Sequence, residues 1–302
     1  MWFKNIKAYR LTQPLSLDDE ALQTALNEFA FRPCGTQETA TMGFASPFHS
    51  AGQHSMLFHQ TQLRYWITLK KQERLLPSSV VNAELAEKVE QIEAETGAPV
   101  GKKAQSDLKQ QIITRLLPQA FTKNTYTNGF ISIPDNLVVV DASADGKAEA
   151  FLAMVRKALG SLPVVPLVRS SLQSELTHWL TEQPPEKIEL LEEAEFKSTD
   201  ETASIIRCKN QPLDSEEIQH HLDAGKLVQK VAFEFDEILE AVIQEDGTIK
   251  RVKFTDRIKE ETQDIPKDQV AARLDAEFAL MSAEVCGIVG YLSETLGLDK
   301  DL

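Results

Sequence analysis

The sequence predicts an α+β fold of mixed, mostly antiparallel sheets with flanking helices. Strand-like runs arrive in hairpin-linked groups rather than alternating singly with helices. Several other stretches repeat apolar residues at three- and four-residue spacing, the mark of amphipathic helices. The chain has 302 residues, 42% of them hydrophobic and 26% charged. That composition is ordinary for a soluble globular chain, and the length suggests about two domains.

Residues 2–11 read as a first strand. "SLDDEALQTALNEF" follows, with Ser16 as N-cap, acids in the first turn, and Leu22, Ala25, Leu26 and Phe29 on one face; this is a helix. Residues 32–54, rich in Gly, Thr, Ser and Pro, read as a long connection, and a β-hairpin is expected over 56–74. Val81, Leu85, Val89 and Ile92 then form one helical stripe, and Ala104, Leu108, Ile112 and Leu116 a second. "TGAPVG" separates them and Pro118 stops the second, giving an αα-hairpin. Each arm of about 17 residues would extend roughly 25 Å. Strands return over 124–133 and 136–141, followed by a helix over 145–159 and the rigid segment "GSLPVVPL". A second half runs helix 171–181, strands near 187–196 and 203–209, helix 214–223, and strands 226–235, 238–245 and 248–255. A closing helix starts near Lys267, with Val270, Leu274, Phe278, Met281, Val285 and Ile288 in register; Gly287 and Gly290 weaken its C-terminal end. The expected organisation is a central α+β domain in two parts, 1–76 and 119–168. A projecting αα-hairpin over 77–118 interrupts it, and a C-terminal α+β part covers 169–302.

Composition narrows the function. Apolar runs such as "VVV" at 138–140 and "LPVVPLV" at 162–168 are too short to span a bilayer, so no membrane is expected. "MWFKNIKAYRL" has no signal-peptide core. Three widely spaced cysteines (Cys34, Cys208, Cys286) fit a reducing cytoplasm. There is no GxxxxGK[ST], no GxGxxG and no GxSxG, so neither a P-loop ATPase nor a Ser hydrolase is indicated. "DASADGKAEAFL" imitates a calcium loop through Asp141, Ser143, Asp145 and Gly146, but its twelfth position is Leu152 where a bidentate Glu is needed. His49, His54 and His59 with Cys34 lack zinc-ligand spacing. The adjacent His220 and His221 point apart on a helix. No catalytic residue, metal or cofactor is predicted, and the chain is not expected to be an enzyme.

Charge is distributed unevenly. There are 46 Asp and Glu against 32 Lys and Arg, a formal net charge of −14; spread evenly, that would repel phosphate. Residues 182–201 concentrate the acids. Three windows lean positive: "RYWITLKKQER" at 64–74, residues 102–123, and "IKRVKFTDRIK" at 249–259. After the Asp246-Gly247 turn, alternation sends Ile249, Arg251 and Lys253 to one side and Lys250, Val252 and Phe254 to the other, so both faces carry a cation. On 226–235, Lys226, Val228, Lys230 and Ala232 share a face opposite the core-facing Leu227, Val231, Phe233 and Phe235. Without a row of stacking aromatics, such a face suits duplex phosphates better than single-stranded bases. The candidate DNA contacts are Lys70, Lys71, Arg74, Arg115 and Lys123 in the first half, and Lys226, Lys230, Lys250, Arg251 and Lys253 in the second.

The segments "MWFKNIKAYRL", "FRPCGTQE", "LLPSSVV", "LLPQAF", "RKALGSLPVVPL", "LLEEAEFKS", "AGKLVQKVAFEF", "DGTIKRVKF" and "DAEFALMSAEV" stand in order from Met1 to about residue 295. Together they resemble the RdgC family of bacterial recombination-associated proteins. The resemblance implies a cytoplasmic, nucleoid-associated homodimer that closes as a ring around double-stranded DNA. It further implies binding without sequence preference and restraint of RecA-driven strand exchange, with RecA a candidate partner. A ring reconciles cations lining a hole with acids outside. The hairpin would meet the partner subunit with Phe121 as anchor, although a lone Phe in that polar turn could instead pack under its own hairpin. The family's basic positions are only partly kept: Gln119 and Asn210 stand where cations could. Two rivals remain: an acidic adaptor or DNA mimic binding a basic protein, and a DNA enzyme holding Mg²⁺ through paired acids such as Glu192 and Glu193.

Overall fold

The computed structural model describes residues 2–48, 56–200, 203–266 and 268–298. In chain order the first half contains β1 (Asn5–Leu11), α1 (Asp19–Glu28), β2 (Ala40–Ala45), β3 (Phe58–Thr61), β4 (Arg64–Leu75), α2 (Ser78–Thr96), α3 (Lys102–Leu116), β5 (Phe121–Ser132), β6 (Leu137–Val140) and α4 (Asp145–Leu159). The second contains β7 (Val164–Pro166), α5 (Gln173–Thr181), β8 (Ile188–Ser198), β9 (Ile205–Lys209), α6 (Glu216–Asp223), β10 (Lys226–Phe235), β11 (Leu239–Gln244), β12 (Ile249–Phe254), α7 (Asp256–Glu260) and α8 (Val270–Thr295). The fold is α+β, as expected. The chain forms two compact units. One comprises Met1–Glu28, Ser46–Thr68 and Thr127–Leu302; the other comprises Phe29–Ala45 and Leu69–Tyr126.

In the larger unit the sheet runs β4-β5-β6-β1-β12-β11-β10-β8-β9, with β3 on β4 and β7 on β1. The pairing of β1 with both β6 and β12 makes the sheet continuous between the halves of the chain. One face is closed by α8, α5 and α6. Phe278, Met281, Val285, Ile288 and Leu292 of α8, with Leu176, Trp179 and Ile218, share one cluster with Phe130, Val139, Phe196, Val228, Val231, Phe233 and Ile249 of the strands. Each such side chain, moved from water to this core, stabilises by roughly 1.5–3 kcal/mol. In length and composition α8 would suffice to cross a bilayer, but its apolar stripe is the one that covers the sheet. Buried Ile288, Val289 and Leu292 carry the helix through Gly287 and Gly290 to Thr295.

The other face is covered only at the N-terminal strands. Ile131, Val138 and Val140 are buried there with Phe151 and Val155 of α4 and with Leu22 and Leu26 of α1, and α1 touches α4. Phe151 stands so close over Gly129 that a Cβ there would lie 2.6 Å from its ring. Over β8–β12 no helix among the described residues takes this place, so that part of the face is open.

Cys286 illustrates how closed the α8 side is. Its Sγ is buried and grouped with Asp135, Ser132 and Arg64. Burial, then the hydrogen bond and negative charge of Asp135, push the thiol up to about 12. At pH near 8 the native protein should therefore take up iodoacetamide at Cys286 only after unfolding, whereas Cys34 and Cys208 are partly accessible. Peptide mass spectrometry of native and urea-treated samples checks this. Rapid native labelling of Cys286 would mean that α8 does not seal the core.

The smaller unit holds β2, the outer parts of β4 and β5, and the paired helices α2 and α3. Gly97 ends α2 in the left-handed conformation (φ 67°), its N–H donating to the Glu93 carbonyl. Val81 and Ile112 are the buried residues of α2 and α3, and Arg115 pairs with Glu84 between them. Ala104, placed on the expected stripe, is exposed.

Several local readings change. The first helix is capped by Asp18, whose carboxylate accepts the Ala21 N–H, and not by Ser16. The connection 32–54 contains β2, and "GSLPVVPL" contains β7, paired with β1. α7 begins within the last basic window. His49, His54 and Lys267 lie outside the described residues. Cys34 instead meets Gln72 and Thr41, and His59 meets Asp275.

Candidate nucleic-acid interface

Two β-bulges determine which cations share a face. On β12, Arg251 adopts the left-handed conformation (φ 55°), and the register against β11 slips between Glu240 and Val242. Ile249, Val252 and Phe254 are therefore buried, while Lys250, Arg251 and Lys253 stay on the open side. The expected division of these cations between two faces is wrong. A bulge places one extra residue on a strand and breaks the two-residue alternation.

The second bulge has the opposite effect. On β10 the register against β8 slips between Val228 and Lys230. Val228 opposes buried Phe196 and Val231 opposes buried Ala194, so both face the core. Lys226 has the parity of Val228 and turns to the helix side, while Lys230 opposes Glu195 on the open side. Lys226 and Lys230 do not share a face, and Lys226 leaves the candidate surface.

The open side gains two cations that sequence reasoning missed. On β9, Ile206 and Cys208 pack toward the core and Arg207 and Lys209 are exposed. Their strict alternation at the sheet edge was legible. Besides Lys197 on β8, the face carries a group of six cations: Arg207, Lys209, Lys230, Lys250, Arg251 and Lys253. They line two shallow neighbouring grooves of about 440 and 390 Å³ that share Lys209 and Arg251.

Of the carboxylates on this face, which include Glu192 in the first groove and Glu234 and Glu189 in register with Glu240, three sit against these cations. Glu195 accepts from Lys230 at 2.8 Å and from Arg207 at 2.5 Å. Glu193 lies 2.8 Å from Arg251, and Glu240 lies 3.2 Å from Lys253. Partial burial would raise the Glu195 pKa, but the hydrogen bonds from Lys230 and Arg207 outweigh it and hold the acid below its ordinary range. Lys209 and Lys250 have no ion-pair partner among the described residues.

The candidates of the smaller unit are engaged otherwise. Lys70 Nζ lies over the Phe31 ring at 4.2 Å and the Tyr126 ring at 5.7 Å. Lys71 pairs with Glu73, and Arg115 with Glu84. The Arg74 guanidinium donates to the carbonyls of Gly35, Leu117, Pro118 and Ala120, so it fastens the end of α3. Lys123 is exposed on β5. Phe121, the first residue of β5, is 85% exposed and is not packed under its own helices. Among the described residues no group of three or more His, Cys, Asp or Glu is placed to hold a metal ion.

The family model described as "Putative exonuclease, RdgC" matches residues 1–299. The chain belongs to the RdgC family. A relative from Pseudoalteromonas atlantica, named recombination-associated protein RdgC, is 60% identical over 302 residues, which is all of this chain and 99% of that protein. Proteins of the same name from Aeromonas hydrophila subsp. hydrophila and Shewanella oneidensis are 42% and 40% identical over 299 residues, 98% of each chain. The family model's description names an exonuclease, whereas the relatives are named for recombination.

Proposed function

We propose that this RdgC-family protein binds double-stranded DNA without sequence preference, through phosphate contacts on the open face of β8–β12. The observation that carries the reading is a group of six neighbouring cations, two of them without an ion-pair partner among the described residues, lining the grooves of one uncovered sheet face in a chain with net charge −14. Phosphate contacts fix position and carry no sequence information directly. The name of the relatives supports a role in recombination. A homodimeric ring around the duplex follows as part of the reading, since enclosure reconciles a cationic inner surface with a negative whole. An enclosed duplex would be a poorer substrate for RecA-driven strand exchange, and the protein would reside on the cytoplasmic nucleoid.

The test is duplex binding by fluorescence anisotropy across a salt series, with sequences of differing composition. Log affinity should fall linearly with log salt, with a slope of at least about −3 and little dependence on sequence. Binding indifferent to salt would remove the phosphate reading. The same mixtures with Mg²⁺ should keep the duplex intact; progressive digestion, lost with a point substitution in this chain, would favour the exonuclease of the family's description.

A further inference from the structure

Glu193, Glu195 and Glu240 stand where an incoming phosphate would have to be received. Each has its carboxylate against the charged end of a cation on the open face, and Glu195 holds two such ends from the strands on either side of β8. Where both partners are exposed, as in Lys253–Glu240, such an ion pair contributes little to stability, typically about 0–1 kcal/mol. Arg207, Arg251 and Lys253 are all more than half exposed, so packing does not fix the position of these cations. We infer that these three carboxylates are internal competitors of DNA phosphate: they keep Arg207, Lys230, Arg251 and Lys253 extended on the open face and weaken duplex binding to a level that permits release. The inference rests on the DNA-binding reading above and deepens it.

Two features of the face make this more than a count of charges. Lys209 and Lys250, without partners among the described residues, give phosphates an initial foothold beside the paired cations in the same groove. A phosphate arriving there meets cations already ordered by carboxylates, so it exchanges one anion for another rather than ordering slack side chains. The acids therefore contribute position to the cations and subtract affinity from the complex.

Glu195→Gln, Glu193→Gln and Glu240→Gln keep side-chain shape and hydrogen-bonding oxygen while removing the charge. Each should tighten duplex binding about threefold or more at low salt, with Glu195→Gln the largest because it releases two cations. The salt slope should steepen by about 0.9 for every further phosphate engaged. Glu216→Gln, on α6 behind the sheet, makes the same change in net charge and should shift affinity less. Thermal unfolding accompanies each measurement. Unchanged or weaker binding by all three variants with parent-like unfolding overturns the inference, as does an equal gain from Glu216→Gln. If Glu195→Gln unfolds more easily, the more exposed Glu240 decides in the same way. Failure of the DNA-binding reading shows separately, as salt-indifferent or absent binding by the parent itself.

Discussion

Arg251→Glu combined with Lys253→Glu should lower duplex affinity roughly a hundredfold at low salt and flatten the log–log salt slope by about 1.8, two phosphate contacts at 0.9 each. The effect is large because both side chains are exposed on the same face and both new carboxylates would sit beside existing ones, Glu193 and Glu240. The fold should survive. The ion pairs lost are exposed ones, and the left-handed backbone at position 251 (φ 55°) is no more strained for Glu than for Arg, since both carry a Cβ. Loss should be equal for all sequences. Lys226→Glu is the matched control: it adds a negative charge to the same sheet but on the helix side of β10, and should leave affinity within a few-fold of the parent. Binding by the double variant equal to that of the parent would remove the open face from the DNA surface; an equal loss in Lys226→Glu would point to net charge instead.

The contrast between Arg251 and Lys226 marks what the sequence could reveal. The helices were legible because apolar side chains at i, i+3 and i+4 can only be buried one way: Phe278, Met281, Val285 and Ile288 fall on the core where the stripe of α8 placed them. Strand existence was legible too, from β-branched and aromatic runs between turn residues. The face of a given strand residue was legible only while alternation held. The β10 bulge depends on pairing with β8, beyond β9 and α6, and the β12 bulge, although within its own hairpin with β11, gives no local warning because left-handed positions are usually signalled by Gly or Asn. Lys226 and Lys250 depart from simple alternation for that one reason. Short elements failed differently. β2 and β7 owe their existence to β4 and β1, against which they pair, and not to their own propensity. Arg74 shows the limit for single cations: its type suggests phosphate, but only the fold brings four backbone carbonyls to its guanidinium.

Phe121→Ser should leave a folded protein that still binds linear duplex, while closed circular duplex escapes from it once salt is raised. The side chain is 85% exposed at the start of β5, and Leu75, Val80 and Met42 of the same unit are exposed as well. A large aromatic ring open to water costs nothing to truncate in the subunit and much in an interface that buries it, typically about 2 kcal/mol or more. The chain leading to it is held: Arg74 binds the carbonyls of Leu117, Pro118 and Ala120, the last being the residue before Phe121. The ring therefore starts from a fixed base, which lowers the entropy cost of inserting it into a second subunit. If the dimer closes around DNA through this contact, a circle leaves only when the contact opens, whereas a linear duplex can slide out. About 2 kcal/mol lost from the contact raises its open population roughly thirtyfold, from RT of about 0.6 kcal/mol, and retention on circles should fall accordingly. Salt-challenge retention on nicked circles and on the same DNA linearised, for parent and variant side by side, reads this directly. Equal retention of circles by both proteins would eliminate Phe121 as a gate. A thermal unfolding midpoint lowered by several degrees would show instead that the side chain stabilises its own subunit, contrary to its exposure.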